Sequence, residues 1–393
     1  MKIAVVGSGI LASEVLTHLD KKIHEIDVFE IGNKKSVIPK SEFSKSGNII
    51  YEGDTQGRRF GLYGTSTVWG GQIFNLTKDE CNLDGISRDI AYVSEKKINK
   101  SYNLKLGIFS FPWNKKVKKT IFRSTNLKMG ARVIKVLKDD NHKWEVHTDL
   151  TSYKYDRVFL CAGVFGNASI LHPQGTINFS DHISQKIGIL SHTEFSKHNL
   201  EWTITKSGLI TKRFYLNSIK RGHYIHFVYN KDLNLVKLMR RLITKKNDKN
   251  INIFLLPIEI FRLLFKSIPK FKFPVVGKNV NVYFDCESSG GIVDYRNSSL
   301  KFNIDEELKE YTEEANKFLQ NKFNTYQQIN STFEKYEDIY HPFNMNSPKS
   351  FNDYFENADG LYRIDTGILN ECGATNPTGV MKQLINKIFV NEW

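Results

Sequence analysis

Three small residues and one acid near the start of the chain could together hold a phosphate and a sugar. Gly7, Gly9 and Ala12 follow the apolar run Ile3-Ala4-Val5-Val6 at the spacing G-x-G-x-x-A, and Glu30 comes eighteen residues after Ala12. In such a turn the first glycine permits a tight exit from a strand. The second lets a phosphate approach the backbone, and the third small residue lets a helix pack close to the sheet. A helix starting there presents unpaired N–H groups and partial positive charge to a pyrophosphate. An acid at the end of the next strand is placed to accept hydrogen bonds from a pair of ribose hydroxyls.

Those roles need a strand, a turn, a helix and a second strand, in that order. Residues 3–6 are a short apolar run fit for a buried strand. Leu11, Val15, Leu16 and Leu19 recur at helical spacing, and residues 26–29 form a second apolar run. Five glycines then fall between Gly57 and Gly71, in "DTQGRRFGLYGTSTVWGGQIFNL". A loop so rich in glycine must pass close to something. Residues 120–136, 142–148 and 157–162 alternate as strands do, and helical spacing resumes after Ala162-Gly163 through "VFGNASIL". From about 190 to 230 the pattern predicts antiparallel strands of a second domain. Residues 279–303 are strand-like again, with a turn expected at Ser288 to Gly291. An amphipathic helix is expected over 305–323 with Asp305 as its cap. The stretch 360–391 reads as a short strand, a polar loop and a last helix from about Thr378.

A chain of 393 residues suggests two domains, or one large domain with an insertion. Its composition, 40% hydrophobic and 25% charged, excludes a disordered or fibrous protein. The four cysteines show neither C-x-x-C pairs nor zinc-ligand spacing, so no disulfide or metal site is expected and a reducing, cytoplasmic compartment fits. The first residues lack a cleavage site of the secretory kind, and no uncharged apolar segment is long enough to span a bilayer. The formal charge of +14 is spread along the chain except in residues 233–273, where ten Lys or Arg accompany only Asp248 and Glu259. That segment reads as two short amphipathic helices. They either pack on the second domain with a solvated basic face or rest on anionic lipid at the inner face of the membrane. No recognised nucleic-acid module accompanies the charge, so nucleic acid is not an expected partner.

Four separated segments, in order, carry a resemblance. After the opening turn comes Leu62-Tyr63-Gly64-Thr65-Ser66-Thr67-Val68-Trp69-Gly70-Gly71. Then come "VFLCAGVFGNASIL" over 158–171, the pair Asp181-His182, and "YRIDTGILNECGATNPTGVMKQLINKI" near the end. In these the chain resembles the glucose–methanol–choline (GMC) flavin oxidoreductases. The resemblance implies an α/β fold: a discontinuous FAD-binding Rossmann-like domain, residues 1–190 and 340–393, and an antiparallel-sheet substrate domain, residues 191–339. It implies FAD as cofactor and a small-molecule alcohol as substrate, oxidised at a CH–OH group. A sugar, polyol or glycan unit is the first expectation and a lipid-linked or sterol-like alcohol the second. Gly7, Gly9 and Ala12 would hold the pyrophosphate and Glu30 the ribose, with Val133 beside adenine. Gly64, Thr65 and Ser66 would pass near the flavin and diphosphate, and Ala162 and Gly163 would line the nucleotide. Asp365 would approach the diphosphate and ribitol. Asn376, Pro377 and a helix from Thr378 would face the flavin edge, where a positive helix end favours reduction. Some family members link flavin covalently through a histidine in the glycine loop. The matching position is Val68, so the expected FAD is non-covalent.

Oxidising an alcohol by hydride transfer needs a base for the hydroxyl proton. By the resemblance His341 is that base and Asn376 its partner: a neutral imidazole accepts the proton while an amide orients the oxygen. Taken alone, His341 before Pro342 also reads as a structural or solvated histidine, and Asn376-Pro377 as a turn before a helix. The family pattern after the histidine, G-T-x-x-M-G, is replaced here by Pro342-Phe343-Asn344-Met345-Asn346. Two alternatives therefore stay open: a membrane-associated flavin binder that has lost dehydrogenation, and a flavoenzyme of another type, such as an isomerase or desaturase.

Overall fold

The structure is a computed structural model. It describes residues 1–67, 72–74, 104–110, 122, 125–201, 203–204, 208–216, 223–229, 278–304, 306–329, 342–343, 345, 359–369 and 378–392. The segment 233–273 and Asp305 lie outside the described residues. Elements are numbered in chain order.

The first apolar run becomes β1 (Lys2–Val6), hydrogen-bonded in parallel to β2 (Glu25–Glu30) on one side and β10 (Arg157–Leu160) on the other. With β6 (Asn126–Met129) and β18 (Leu361–Arg363) they make a parallel sheet in the order β18-β10-β1-β2-β6. Such a sheet must be covered on both faces, so its central strand is apolar and buried from Ile3 to Val6. Successive side chains of β1 accordingly enter two cores. Ile3 and Val5 pack with Ala12, Val15 and Leu16 of α1 (Ile10–His18) and Met381, Leu384, Ile385 and Ile388 of α5 (Thr378–Glu392). Ala4 and Val6 pack with Val133, Val136, Val146 and Tyr155 of a small antiparallel sheet, and with Ile170 of α2 (Gly163–Leu171). That small sheet is β7 (Val133–Lys138), β8 (Trp144–Thr148) and β9 (Ser152–Tyr155). Glu14 and Lys382 tie α1 to α5 at 2.7 Å.

A second, ten-stranded sheet is mostly antiparallel. Its spine runs β17 (Gln327–Gln328), β11 (Thr176–Ser191), β15 (Asn279–Asp294), β14 (His223–Tyr229), β13 (Gly208–Leu216), β5 (Leu104–Ser110) and β4 (Gln72–Phe74). Three strands pair beside it: β12 (Thr203–Ile204), β16 (Ser299–Asn303) and β3 (Ser44–Ser46). Ile183, Phe214, Ile225, Phe227, Val282 and Phe284 form a core with Leu308, Ala315 and Leu319 of α4 (Glu307–Lys322). Side chains alternate along a strand, so the next residues, His182, Ser184, Tyr224, Asp285 and Glu287, occupy the opposite face. Between β11 and β12 a short α3 (His192–Lys197) starts at Ser191, whose hydroxyl accepts the N–H of Glu194.

Two expectations change. Ser288 to Gly291 is not a turn: these residues continue β15, and the chain reverses at residues 295–298. The glycines serve close approach instead. A Cβ on Gly290 would overlap the carbonyl of Asn303 on β16, and one on Gly291 would press into the Phe179 ring. The antiparallel pattern expected from about residue 190 begins at Thr176, and the sheet also takes β3, β4 and β5 from the first 190 residues. No helix among the described residues is long and apolar enough to cross a membrane.

Candidate functional site

The C-terminal ends of β1, β2 and β10 meet at a cleft. Gly7 leaves β1 at φ +101°, and its N–H donates to the carbonyl of Phe29 at 2.7 Å. A Cβ there would overlap the carbonyl oxygen of Cys161 at the end of β10. Gly9 is the N-cap of α1, at φ −74°, and no side chain caps that helix. A Cβ on Gly9 would meet nothing within 4 Å, because it would project into the cleft. Ala12 is fully buried against the sheet. Gly64 (φ +48°) begins a 3-10 turn, Gly64–Thr67, that crosses over Gly9; a Cβ on it would lie 3.6 Å from the Gly9 Cα.

A second helix start faces the same space. α2 begins at Gly163 (φ +75°), where a Cβ would also meet open space, and Ala162 before it offers no side-chain cap. The cleft therefore receives two helix N-termini with uncapped N–H groups, a geometry that favours an anion. Gly7, Gly9, Gly64, Thr65, Ala162, Gly163, Val133 and Glu30 all line it.

Glu30 does more than face the cleft. Its buried carboxylate accepts the Ser8 hydroxyl at 2.6 Å and the N–H groups of Gly32 at 2.8 Å and Gly61 at 2.9 Å. Ser8 Oγ in turn accepts the N–H of Tyr63 at 3.0 Å. One side chain thus pins the opening turn, the exit of β2 and the glycine-rich loop into one rim. Of the roughly four acceptor positions on a carboxylate, one remains for a ligand hydroxyl.

Asp365, expected near the diphosphate and ribitol, sits between two residues of the cleft wall, Ile364 and Thr366. It does not line the cleft, and its carboxylate is saturated. Asn167 Nδ2 donates to Oδ2 at 2.5 Å, Arg363 donates through Nε at 2.8 Å and Nη2 at 3.1 Å, and Gly367 N–H donates to Oδ1 at 2.6 Å. Asn167 also accepts the Ala162 N–H at 2.9 Å and donates to the Leu160 carbonyl at 2.7 Å. These contacts join the Asp365 carboxylate, through Asn167, to the start of α2.

The cleft also holds cationic residues that spacing did not single out. Arg58 is half-buried in its wall, with its guanidinium 5.1 Å from the Phe60 ring and 6.0 Å from that of Phe165. Burial pushes its pKa down; Tyr295, Glu42 and Asp54 pull it back, so the charge persists. Those two carboxylates are themselves engaged, Glu42 by Arg132 at 3.0 Å and Asp54 by Lys45 at 2.7 Å, which leaves the Arg58 charge to the cleft. The signal in the sequence was Arg58-Arg59 inside the glycine-rich loop.

His341, Asn376, Pro377 and Val68 lie outside the described residues. Ser66 lies in the 3-10 turn and Thr378 opens α5. Pro342, next to His341, lines the cleft and its carbonyl accepts the Thr366 hydroxyl at 2.5 Å. Phe343 pairs through its backbone with Ser180 of β11, at 2.9 and 2.8 Å. Cys161 and Cys286 are buried thiols, and burial pushes the Cys161 thiol up. Among the described residues no cluster could hold a metal ion.

No protein-family model matches the chain, and no curated protein matches it in sequence. Its fold is that of a known enzyme. The structure of pyridoxine 4-oxidase from Mesorbium loti superposes with a TM-score of 0.57, covering 100% of this chain and 99% of that one, at 10% sequence identity. The two chains share a mixed α/β fold, in which a parallel sheet is joined to a mostly antiparallel one.

Proposed function

We propose that this protein is a FAD-dependent oxidoreductase that oxidises the CH–OH group of a small alcohol. The observation that carries the reading is the pair of glycine-lined, uncapped helix starts at Gly9 and Gly163, facing one cleft in a fold shared with an oxidase. The residues present fit a dinucleotide. Two faces where a Cβ would project into open space leave room for backbone contact with a diphosphate, and the Arg58 cation complements its charge. Glu30 keeps one acceptor position for a ribose hydroxyl, and Val133, on the cleft wall, would lie beside adenine. FAD, when bound, supplies the hydride acceptor. Val68 offers no nucleophile, so the cofactor is held without a covalent bond.

The remaining roles belong to the chain. His341 takes the proton of the substrate hydroxyl at its neutral imidazole nitrogen, and the Asn376 amide donates to the same oxygen and orients it. The N-terminus of α5, starting at Thr378, directs its dipole at the reacting end. Residues 233–273, with their excess of cations, would give peripheral contact with an anionic membrane.

The test is direct. Purified protein should be yellow and should release its flavin into the supernatant on acid precipitation. Anaerobic mixing with a panel of alcohols should bleach it, and His341→Ala should bleach at least about a hundredfold more slowly. A colourless protein that refuses added FAD sinks the proposal. A yellow protein that no alcohol bleaches retains the cofactor but not the reaction, and points to a flavin binder without dehydrogenase activity.

A further inference from the structure

Tyr63 holds a backbone conformation that its residue type disfavours. Its φ is +74°, between Gly61 at +125° and Gly64 at +48°. Glycine enters this region freely. An aromatic residue is crowded there, so the conformation persists only where its surroundings impose it. The bend carries the chain into Gly64–Thr67, the 3-10 turn that crosses Gly9 at the head of the cleft. Up to Leu62 the loop is stitched to the segment after β2. Phe60 exchanges two backbone hydrogen bonds with Val37, and the Leu62 N–H donates to the Asn33 carbonyl at 3.1 Å. At Tyr63 the chain passes to the opening turn, and its N–H donates to Ser8 Oγ at 3.0 Å.

Ser8 lines the cleft between Gly7 and Gly9 and is itself buried. A serine hydroxyl has one proton and two lone pairs. Here the proton goes to Glu30 Oε2 at 2.6 Å, which leaves a lone pair for the Tyr63 N–H. A carboxylate can only accept, so Glu30 fixes the direction of that proton. The Gly61 carbonyl, 3.4 Å from the same hydroxyl, is the more distant alternative. Glu30 thereby faces the cleft and also decides which way Ser8 points.

We propose that Ser8 is a positioning residue for the cleft's ligand: its hydroxyl, aimed by Glu30, holds the Gly64–Thr67 turn over Gly9 against the strain at Tyr63, and so sets how long a dinucleotide stays bound. The inference rests on the cleft being a dinucleotide site and adds what keeps the ligand there. Gly9, Gly64 and Thr65 all line the cleft, so a diphosphate at the start of α1 has this turn as a neighbour. Without the Ser8 contact, Tyr63 relaxes toward an ordinary φ and carries the turn away. With glycine or asparagine at position 63 the same turn forms with little strain, and Ser8 has nothing to hold against. The effects of the two side chains are therefore coupled. A serine that only filled space would act the same whatever stood at position 63.

The experiment compares the full chain with Ser8→Ala, with Tyr63→Gly and Tyr63→Asn, and with Ser8→Ala combined with each. FAD release is read from the rise in free-flavin fluorescence on dilution. ADP, which has a ribose and a diphosphate but no flavin, is titrated by calorimetry. Ser8→Ala should release FAD about tenfold faster and weaken ADP by a similar factor. In either Tyr63 background the same substitution should change release by less than about threefold. Two backgrounds are used so that one that fails to fold leaves the other. In the ligand-free protein, Ser8→Ala should speed amide exchange at Tyr63 while Leu62 keeps its protection. Release that ignores Ser8→Ala, an acceleration of the same size in the Tyr63 variants, or unchanged exchange at Tyr63 overturns the proposal. The two readings fail separately. A colourless protein that refuses FAD, yet loses ADP affinity in Ser8→Ala and regains it when Tyr63→Gly is added, sinks the flavin reading and supports this one. A yellow protein bleached by alcohols, whose FAD leaves no faster in Ser8→Ala, does the reverse.

Discussion

Gly7 and Gly9 stand two residues apart in one motif and do different work. Gly7 has a positive φ and no room for a Cβ against the Cys161 carbonyl, so its requirement is internal to the protein. Gly9 has an ordinary φ and open space beyond it, so its requirement comes from whatever fills the cleft. Gly7→Ala should therefore lower stability by about 2–4 kcal/mol, read as a shift in the urea midpoint. Gly9→Ala should leave that midpoint within about 1 kcal/mol yet weaken FAD binding by about tenfold or more. If both variants only unfold the protein, or both spare it and its cofactor, the division of labour is wrong. The two glycines could be read from the sequence because each answers to its immediate neighbours. Glu30 could be read only in part. Its spacing announced an acceptor at the end of β2, but Gly61 as one of its donors depends on a loop folding back from about thirty residues away.

At the scale of elements, α2 illustrates what spacing cannot reveal. Its periodicity was plain in "VFGNASIL", and so was the strand before it. What aims its first turn at the cleft is Asn167, fully buried, joining the Ala162 N–H to an aspartate 198 residues later. Asn is a poor choice for a helix interior, and that mismatch was the one local hint. Asn167→Ala should cost about 1–3 kcal/mol, and the Ala162 amide should exchange its hydrogen markedly faster while amides of β1 keep their protection. Unchanged exchange at Ala162 would show that the helix start is held by other means. The same limit explains the misplaced turn at Ser288 to Gly291. Serine and glycine usually signal reversal, and only the neighbouring strand and the Phe179 ring show that these glycines yield space rather than direction.

For the molecule as a whole, the fold class was visible because the period of hydrophobicity switches between helix and strand along the chain, whereas the joining of distant strands into one sheet was not. The charged face of that sheet predicts a pH response. Burial works against the charge of Asp285, but His226 and Arg213, each with a nitrogen 2.7 Å from its Oδ2, outweigh it. Asp285 therefore has a depressed folded-state pKa, so its contribution is complete above the unfolded value of about 3.9 and is lost as pH falls through the lower folded value. The urea midpoint of the natural protein should drop below about pH 4, and that of an Arg213→Gln, Asp285→Asn double variant should drop less. Equal slopes would mean that the pair contributes nothing net. The parallel sheet has a further consequence for the order of events during synthesis. β10 is flanked by β1, made well before it, and by β18, made about two hundred residues after it. A nascent chain halted short of Leu361 must carry β10 with one side unzipped, its main-chain groups available to any passing strand.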